Sequence, residues 1–235
     1  MPIVSAFIAN TNSRPDRDIN KYIEFGKKLL SIPIPKIIFI DETMIDQFGD
    51  YALTTLIPVK RENYLHQYID HIDFAVNSTY HQKDTLEYIL MICNKTEYMR
   101  EAIALCPDSQ MVWVDFGINH IYNSDVEFIA DIIRLEQSRH NAVRIASIWN
   151  VDHDYGRDIY KDILWYFAGG VFGGNAASLL RFAELTKDMC LLVIKERRTI
   201  MWEVNIWYKV YLENRELFSL YSCDHNPTLI RNYCK

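Results

Sequence analysis

Strand, helix and strand signals follow one another within the first 41 residues, and that order leaves few folds open. Residues 3–9, Ile-Val-Ser-Ala-Phe-Ile-Ala, form a β-branched and aromatic run that ends in the polar cluster Asn10 to Pro15, which reads as a strand and then a loop. Asp18 is placed to cap a helix over 19–31, where Ile19, Tyr22, Ile23, Phe25 and Leu29 recur at helical spacing. Pro33 and Pro35 end it, and residues 36–41, Lys-Ile-Ile-Phe-Ile-Asp, give a second buried strand closing on an acid. A right-handed βαβ unit is the expectation.

The rest of the chain continues the alternation. Residues 54–59 read as an edge strand, because Pro58 cannot donate a ladder hydrogen bond. A long helix is expected over 84–105, opened by capping-box spacing in Asp84-Thr85-Leu86-Glu87, and it feeds a very apolar strand ending at Asp115. Helices over 125–137, 176–194 and 202–212 and strands over 141–149, 165–172 and 217–221 complete the pattern. No repeat, low-complexity tract or linker interrupts it. The fold class expected is α/β, a single domain over 1–235 with a central, mostly parallel mixed sheet flanked by helices.

Composition excludes several functions. Hydrophobic residues at 49% and charged residues at 24% describe an ordinary globular chain. A net charge of -6 without a dense Lys/Arg cluster argues against nucleic acid as the main partner, and Lys195-Glu196-Arg197-Arg198 reads as a solvated helix end. Five cysteines without a CxxC pair fit neither a disulfide framework nor a structural zinc site, so a reducing, cytoplasmic setting is expected. Neither a signal peptide nor a transmembrane segment is expected.

Three stretches carry potential chemistry. Asp115-Phe116-Gly117 repeats letters with which a protein kinase holds magnesium, but the Gly-rich loop, strand lysine and H-R-D loop that a kinase also needs are missing upstream. What transfers is a carboxylate at the end of a hydrophobic strand, able to bind a hard cation or to serve as a turn carboxylate. Gly117 allows close backbone approach to a ligand, or supplies a turn. Residues 167–175 hold four of the eight glycines, suited to an open backbone surface for a sugar or to a bulged strand with a tight turn. Their spacing is not that of a Rossmann dinucleotide site. Glu203, among Met, Trp, Val and Ile, is either partnered, poised for catalysis or on a helix surface. His225 after Asp224 reads as a loop histidine, a metal ligand or a phosphate contact.

The order of "IVSAFIA", "KIIFID", "DTLEYILMICNKTEYMREAI", "MVWVDFG", "YFAGGVFGGN", "WEVNIW" and "LFSLYSCDHNPTLIRNY" resembles the HtrL/YibB-like glycosyltransferase family over nearly the whole chain. "YFAGGVFGG" followed by a tryptophan-glutamate pair is more distantly similar to blood-group-type galactosyltransferases. The resemblance implies a GT-A fold, a nucleotide-sugar donor with UDP favoured, a glycan or glycoprotein acceptor, and Mn2+ or Mg2+. It implies donor contacts from Phe7, Ile8, Ala9, Asn10, Asp41, Lys95, Asp115, Gly117, Gly169 and Gly170, with metal ligation by Asp115 and His225. Glu203 falls at the catalytic carboxylate, with inversion and retention both open. Gly117 departs from the pattern by standing where the second acid of Asp-x-Asp belongs. The alternatives are an inactive GT-A-like glycan-binding or scaffold domain, and a nucleotidyltransferase or sugar-phosphate enzyme, for which Asp152-His153-Asp154 offers the nearest second acid cluster.

Overall fold

A computed structural model describes residues 1–9, 18–60, 62, 64–69, 72–78, 83–107 and 109–235. In chain order its elements are β1 (Ile3–Phe7), α1 (Ile19–Leu30), β2 (Lys36–Asp41), β3 (Thr54–Val59), α2 (His66–Ile69), β4 (Ala75–Val76), α3 (Leu86–Cys93) and α4 (Lys95–Leu105). There follow β5 (Gln110–Val114), α5 (Asp125–Gln137), β6 (Val143–Ser147), β7 (Phe167–Asn175), α6 (Ala176–Arg197), β8 (Thr199–Ile200), α7 (Glu203–Glu213), β9 (Phe218–Ser222) and α8 (Thr228–Arg231). Short 3-10 turns lie at Ile45–Gln47, Ile118–Ile121 and Arg215–Leu217.

Seven strands form one sheet in the order β3-β2-β1-β5-β7-β6-β9, and β4 pairs with β8 beside it. The pairs β2/β3, β1/β2, β1/β5 and β6/β9 are parallel, while β7 runs antiparallel to both its neighbours. The architecture is therefore α/β with a mostly parallel mixed sheet flanked by helices. Alternation along the strands divides the core. Val4, Met111 and Trp113 pack with α3, α4, α6 and α7 on one face; Ile3, Val112 and Val114 pack with residues of α1, α5 and α8 on the other. Pro58 lies in β3, which is an edge strand as its missing N–H requires. Among the described residues no helix is long and apolar enough to cross a membrane.

The sheet sets up a site at one edge. The chain steps from β1 to β2 on one side, and β5 takes the other side of β1. Such a reversal opens a crevice beyond the carboxyl ends of the strands. β7 descends beside β5 with Val171 opposite Val114 and Gly174 opposite Met111, so the start of β7 and the end of β5 share that edge. The 22 residues of α6, about 33 Å at 1.5 Å per residue, then return the chain to it.

The sequence reading needs four adjustments. The helix expected over 84–105 is two helices, broken at the buried Asn94, whose side chain accepts from Leu65 N–H at 3.2 Å. Its N-cap is Thr85, which accepts from Tyr88 N–H at 3.2 Å; Asp84 instead receives the Ser78 hydroxyl. The glycines lie within β7, with a register shift opposite Ile145 and Ala146, as the bulged-strand reading expects. Only the first two reach the site edge: a Cβ on Gly173 would collide with Met111 O, and one on Gly174 with Ala142 O, at the far end. The β4/β8 pair had no sequence signal, each strand being two residues long.

Candidate functional site

Three elements deliver three charged side chains to one point. β5 ends one residue before Asp115, whose N–H donates to Gly170 O at 2.9 Å. This bond fixes the carboxylate at the sheet edge. The helix break at Asn94 makes Lys95 the first residue of α4, and β8 leads through Met201 and Trp202 to Glu203, the first residue of α7. A carboxylate in a first turn complements the positive end of the helix dipole.

Lys95 is the hub. Its Nζ donates to Gly169 O at 3.0 Å and to Glu203 Oε1 at 2.9 Å, and pairs with Asp115 at 2.9 Å from Oδ1 and 3.3 Å from Oδ2. The side chains of Lys95 and Glu203 are 6% and 5% exposed, while that of Asp115 is 39% exposed, so the site opens to solvent on the Asp115 side. Burial opposes the charge on Lys95, but the two carboxylates outweigh it and hold its pKa well above the ordinary value.

The two carboxylates are held differently. Asp115 Oδ1 also accepts from the Trp113 indole N–H at 2.7 Å. Glu203 Oε2 is buried and has no hydrogen-bond partner among the described residues. Such an atom costs stability unless something supplies a donor. Gly169 makes room for this arrangement, since a Cβ there would overlap Glu203 Oε1 and sit 3.2 Å from Lys95 Nζ.

Aromatic rings surround the triad. Tyr88 meets Trp202 edge-on at 5.6 Å, Trp165 meets Trp202 at 6.3 Å, and Lys83 Nζ lies 4.2 Å from the Trp202 ring centre. Desolvation first, then the charges of Glu203 and Asp115, push the Tyr88 phenol well above its ordinary pKa, so it is neutral and able to donate. Tyr22 packs over Gly117, where a Cβ would lie 3.0 Å from its ring. Any side chain at position 117 would therefore press on the Tyr22 ring.

The other expected donor contacts are arranged less directly. Phe7 stacks on Phe116 at 5.0 Å and 27° and meets Phe48 at 6.0 Å, so its ring belongs to the core; Ile8 and Ala9 are also buried. Asn10 lies outside the described residues. Asp41, 1% exposed, accepts from Thr43 N–H at 3.0 Å, Thr43 Oγ1 at 2.6 Å and Ala9 N–H at 3.3 Å. Its carboxylate ties the exit of β1 to the turn after β2, which shapes the crevice wall. Gly170 packs below Leu229 and Ile118.

His225 stands apart from the triad contacts. Its exposed ring leans edge-on against Trp165 at 4.5 Å, and its N–H donates to Asp224 at 2.7 Å. Desolvation, aided by Lys83 and opposed by Asp224, lowers its pKa. Among the described residues no three His, Cys, Asp or Glu side chains are grouped to hold a metal ion. Asp115 Oδ2, whose contact with Lys95 is the longer one at 3.3 Å, offers one ligand on a side chain that is 39% exposed. A magnesium ion held by one carboxylate and completed by substrate phosphate oxygens and water fits that donor set; a cation held by protein alone does not.

Sequence reading missed the indole of Trp113, Tyr22, Tyr88 and Trp202. For Trp113 a signal existed, because residues two apart on a strand share a face and Trp113 is two before Asp115. The sequence matches no protein-family model, and no curated protein matches it.

Proposed function

We propose that the chain is a GT-A-like glycosyltransferase of the HtrL/YibB-like kind, transferring a sugar from a nucleotide-diphosphate donor, a UDP-sugar, to a glycan or glycoprotein acceptor. The observation that carries this reading is the buried, unpartnered Glu203 Oε2 held 2.9 Å through its other oxygen to Lys95, which also pairs with Asp115 at the strand edge. A sugar hydroxyl would supply the missing donor once the Glu203 side chain turns toward the open Asp115 side, and tyrosine and tryptophan rings suit its C–H faces. Glu203 stands at the anomeric carbon, as base toward the acceptor hydroxyl or as stabiliser of the oxocarbenium-like centre. Lys95 fixes its orientation; Tyr88 donates to donor oxygens. Mn2+ or Mg2+, on Asp115 Oδ2, would neutralise charge on the diphosphate. Free thiols at all five cysteines suit work in the cytoplasm.

A second reading draws on Gly117 under Tyr22 and on the closed Asp115–Lys95–Glu203 contacts: an inactive domain that binds glycan. Thermal melting with UDP or GDP and Mn2+ separates the two, because a bound nucleotide raises the midpoint by mass action. Glu203→Gln is expected to abolish transfer and keep that rise. Full turnover by this variant rejects the catalytic role of Glu203.

A further inference from the structure

The segment between β6 and β7, residues 148–166, has no regular secondary structure yet is firmly built. Loops beyond ~12–15 residues are uncommon in compact domains and usually bind something or cover a site. This one is mounted on α7, the helix that begins with Glu203. Asn205 donates to Ile159 O at 2.8 Å and Asp162 O at 2.7 Å and accepts from Leu164 N–H at 2.8 Å. Tyr208 Oη donates to Val151 O at 3.1 Å, its ring stacks on Tyr166 at 3.8 Å and 11°, and Arg215 pairs with Asp152 at 2.8 Å. Asn205 and Tyr208 in the first two turns of α7, with Arg215 just beyond its end, hold the loop as a platform.

The platform presents aromatic surface to solvent. Trp149 and Tyr155 lie 4.5 Å apart at 36°, and Tyr155 is 39% exposed. His153 meets Tyr155 edge-on at 4.5 Å, and the Arg157 guanidinium lies 5.6 Å from the Trp149 ring centre. The exposed Tyr155 ring beside the half-buried Trp149 ring, bordered by an imidazole, a guanidinium and the exposed Asp154, matches a pyranose, which has an apolar C–H face and a rim of hydroxyls. Asp152, Asp154 and Asp158 make the same tip unsuited to nucleic acid. The platform also leads to the triad: Trp149 N–H donates to Trp165 O at 2.9 Å, and Trp165 meets Trp202, the neighbour of Glu203.

We propose that Trp149 and Tyr155 form a sugar-stacking subsite for the acceptor glycan. This deepens the transferase reading and rests on it for the word acceptor; the glycan contact itself does not. Both rings rest on Tyr166, Trp149 at 5.7 Å and Tyr155 at 5.8 Å, and Tyr166 is itself stacked on Tyr208, so they bind with little ordering cost, which favours affinity.

The test is binding of the intact chain to a printed array of defined oligosaccharides, beside melting with UDP and Mn2+. The wild type is expected to retain a restricted set of oligosaccharides. Tyr155→Ala, truncating an exposed ring, is expected to weaken that binding roughly tenfold and to leave the nucleotide-dependent rise in melting temperature intact, while Tyr155→Phe keeps both. Undiminished glycan binding by Tyr155→Ala and Trp149→Ala, or no glycan bound by the wild type, overturns the subsite. Glycan binding lost in Tyr155→Ala, with no nucleotide response in any protein, upholds the subsite and overturns the transferase reading alone.

Discussion

Asp115 and Glu203 are joined through a single atom, since Lys95 Nζ lies 2.9 Å from an oxygen of each. One residue directly follows a central strand and the other starts a late helix, 88 positions on. A buried ammonium between two carboxylates keeps both from repelling each other, and removing one partner of such a group leaves uncompensated charge.

Lys95→Met is therefore expected to destabilise the fold by about 3 kcal/mol, the low end for a broken buried pair because Asp115 is partly solvated. Glu203→Gln is expected to cost much less, as Lys95 keeps Asp115 and Gly169 O. Urea unfolding of both variants checks this. Equal losses in the two would show that the ammonium is not the hub.

Gly169→Ala tests the space on which the triad depends. The added methyl overlaps Glu203 Oε1, so either the glutamate or the start of β7 has to move. Overpacking of this kind costs ~1–3 kcal/mol, and displacement of Glu203 is expected to remove sugar transfer while the fold persists. Circular dichroism with a transfer assay measures both. Retained transfer at wild-type rate contradicts the assigned position of Glu203.

The strands and helices were legible because their apolar periods are clean, as in Met111 to Val114 and in α1. Asp115 and Glu203 were legible as acids in apolar surroundings. What no local pattern announced was tertiary: that Asn94 breaks a helix and turns Lys95 inward, or that Asp41 is consumed by Thr43 and Ala9. An acid closing an apolar strand looks the same whether it faces a ligand or caps its own turn. Gly117 gave no hint of Tyr22, since that contact joins residues 95 positions apart.

Lys36 gives a pH prediction independent of function. It is 2% exposed, donates to Ile32 O and to Ile34 O at 2.9 Å, and burial lowers its pKa from 10.5 to about 8. Between those two values the unfolded chain keeps a proton that the folded one has released, so this group's contribution to stability rises with pH across the window. Below about pH 8 both forms are charged and the folded state bears the full desolvation cost. Lys36→Met is expected to be more stable than wild type at pH 7, and the advantage is expected to shrink by pH 10. Urea unfolding at the two pH values, compared as a difference, removes the contribution of other titrating groups. A difference that does not change with pH contradicts the shift.

Asp115 and His225 are unequal as cation ligands. Asp115→Asn retains a side-chain oxygen to accept from Trp113 but loses the negative charge that would hold a cation. The extra melting stabilisation that Mn2+ gives over UDP alone is expected to disappear in this variant. His225, leaning on Trp165 at 4.5 Å and bound through its backbone to Asp224, is placed by its ring contact, so His225→Ala is expected to retain at least part of the Mn2+ increment. Differential scanning fluorimetry with UDP, with and without Mn2+, reads both increments. If His225→Ala loses the whole increment and Asp115→Asn keeps it, the cation sits on the histidine side of Trp202, and the electrostatic role assigned to the strand-end carboxylate is wrong.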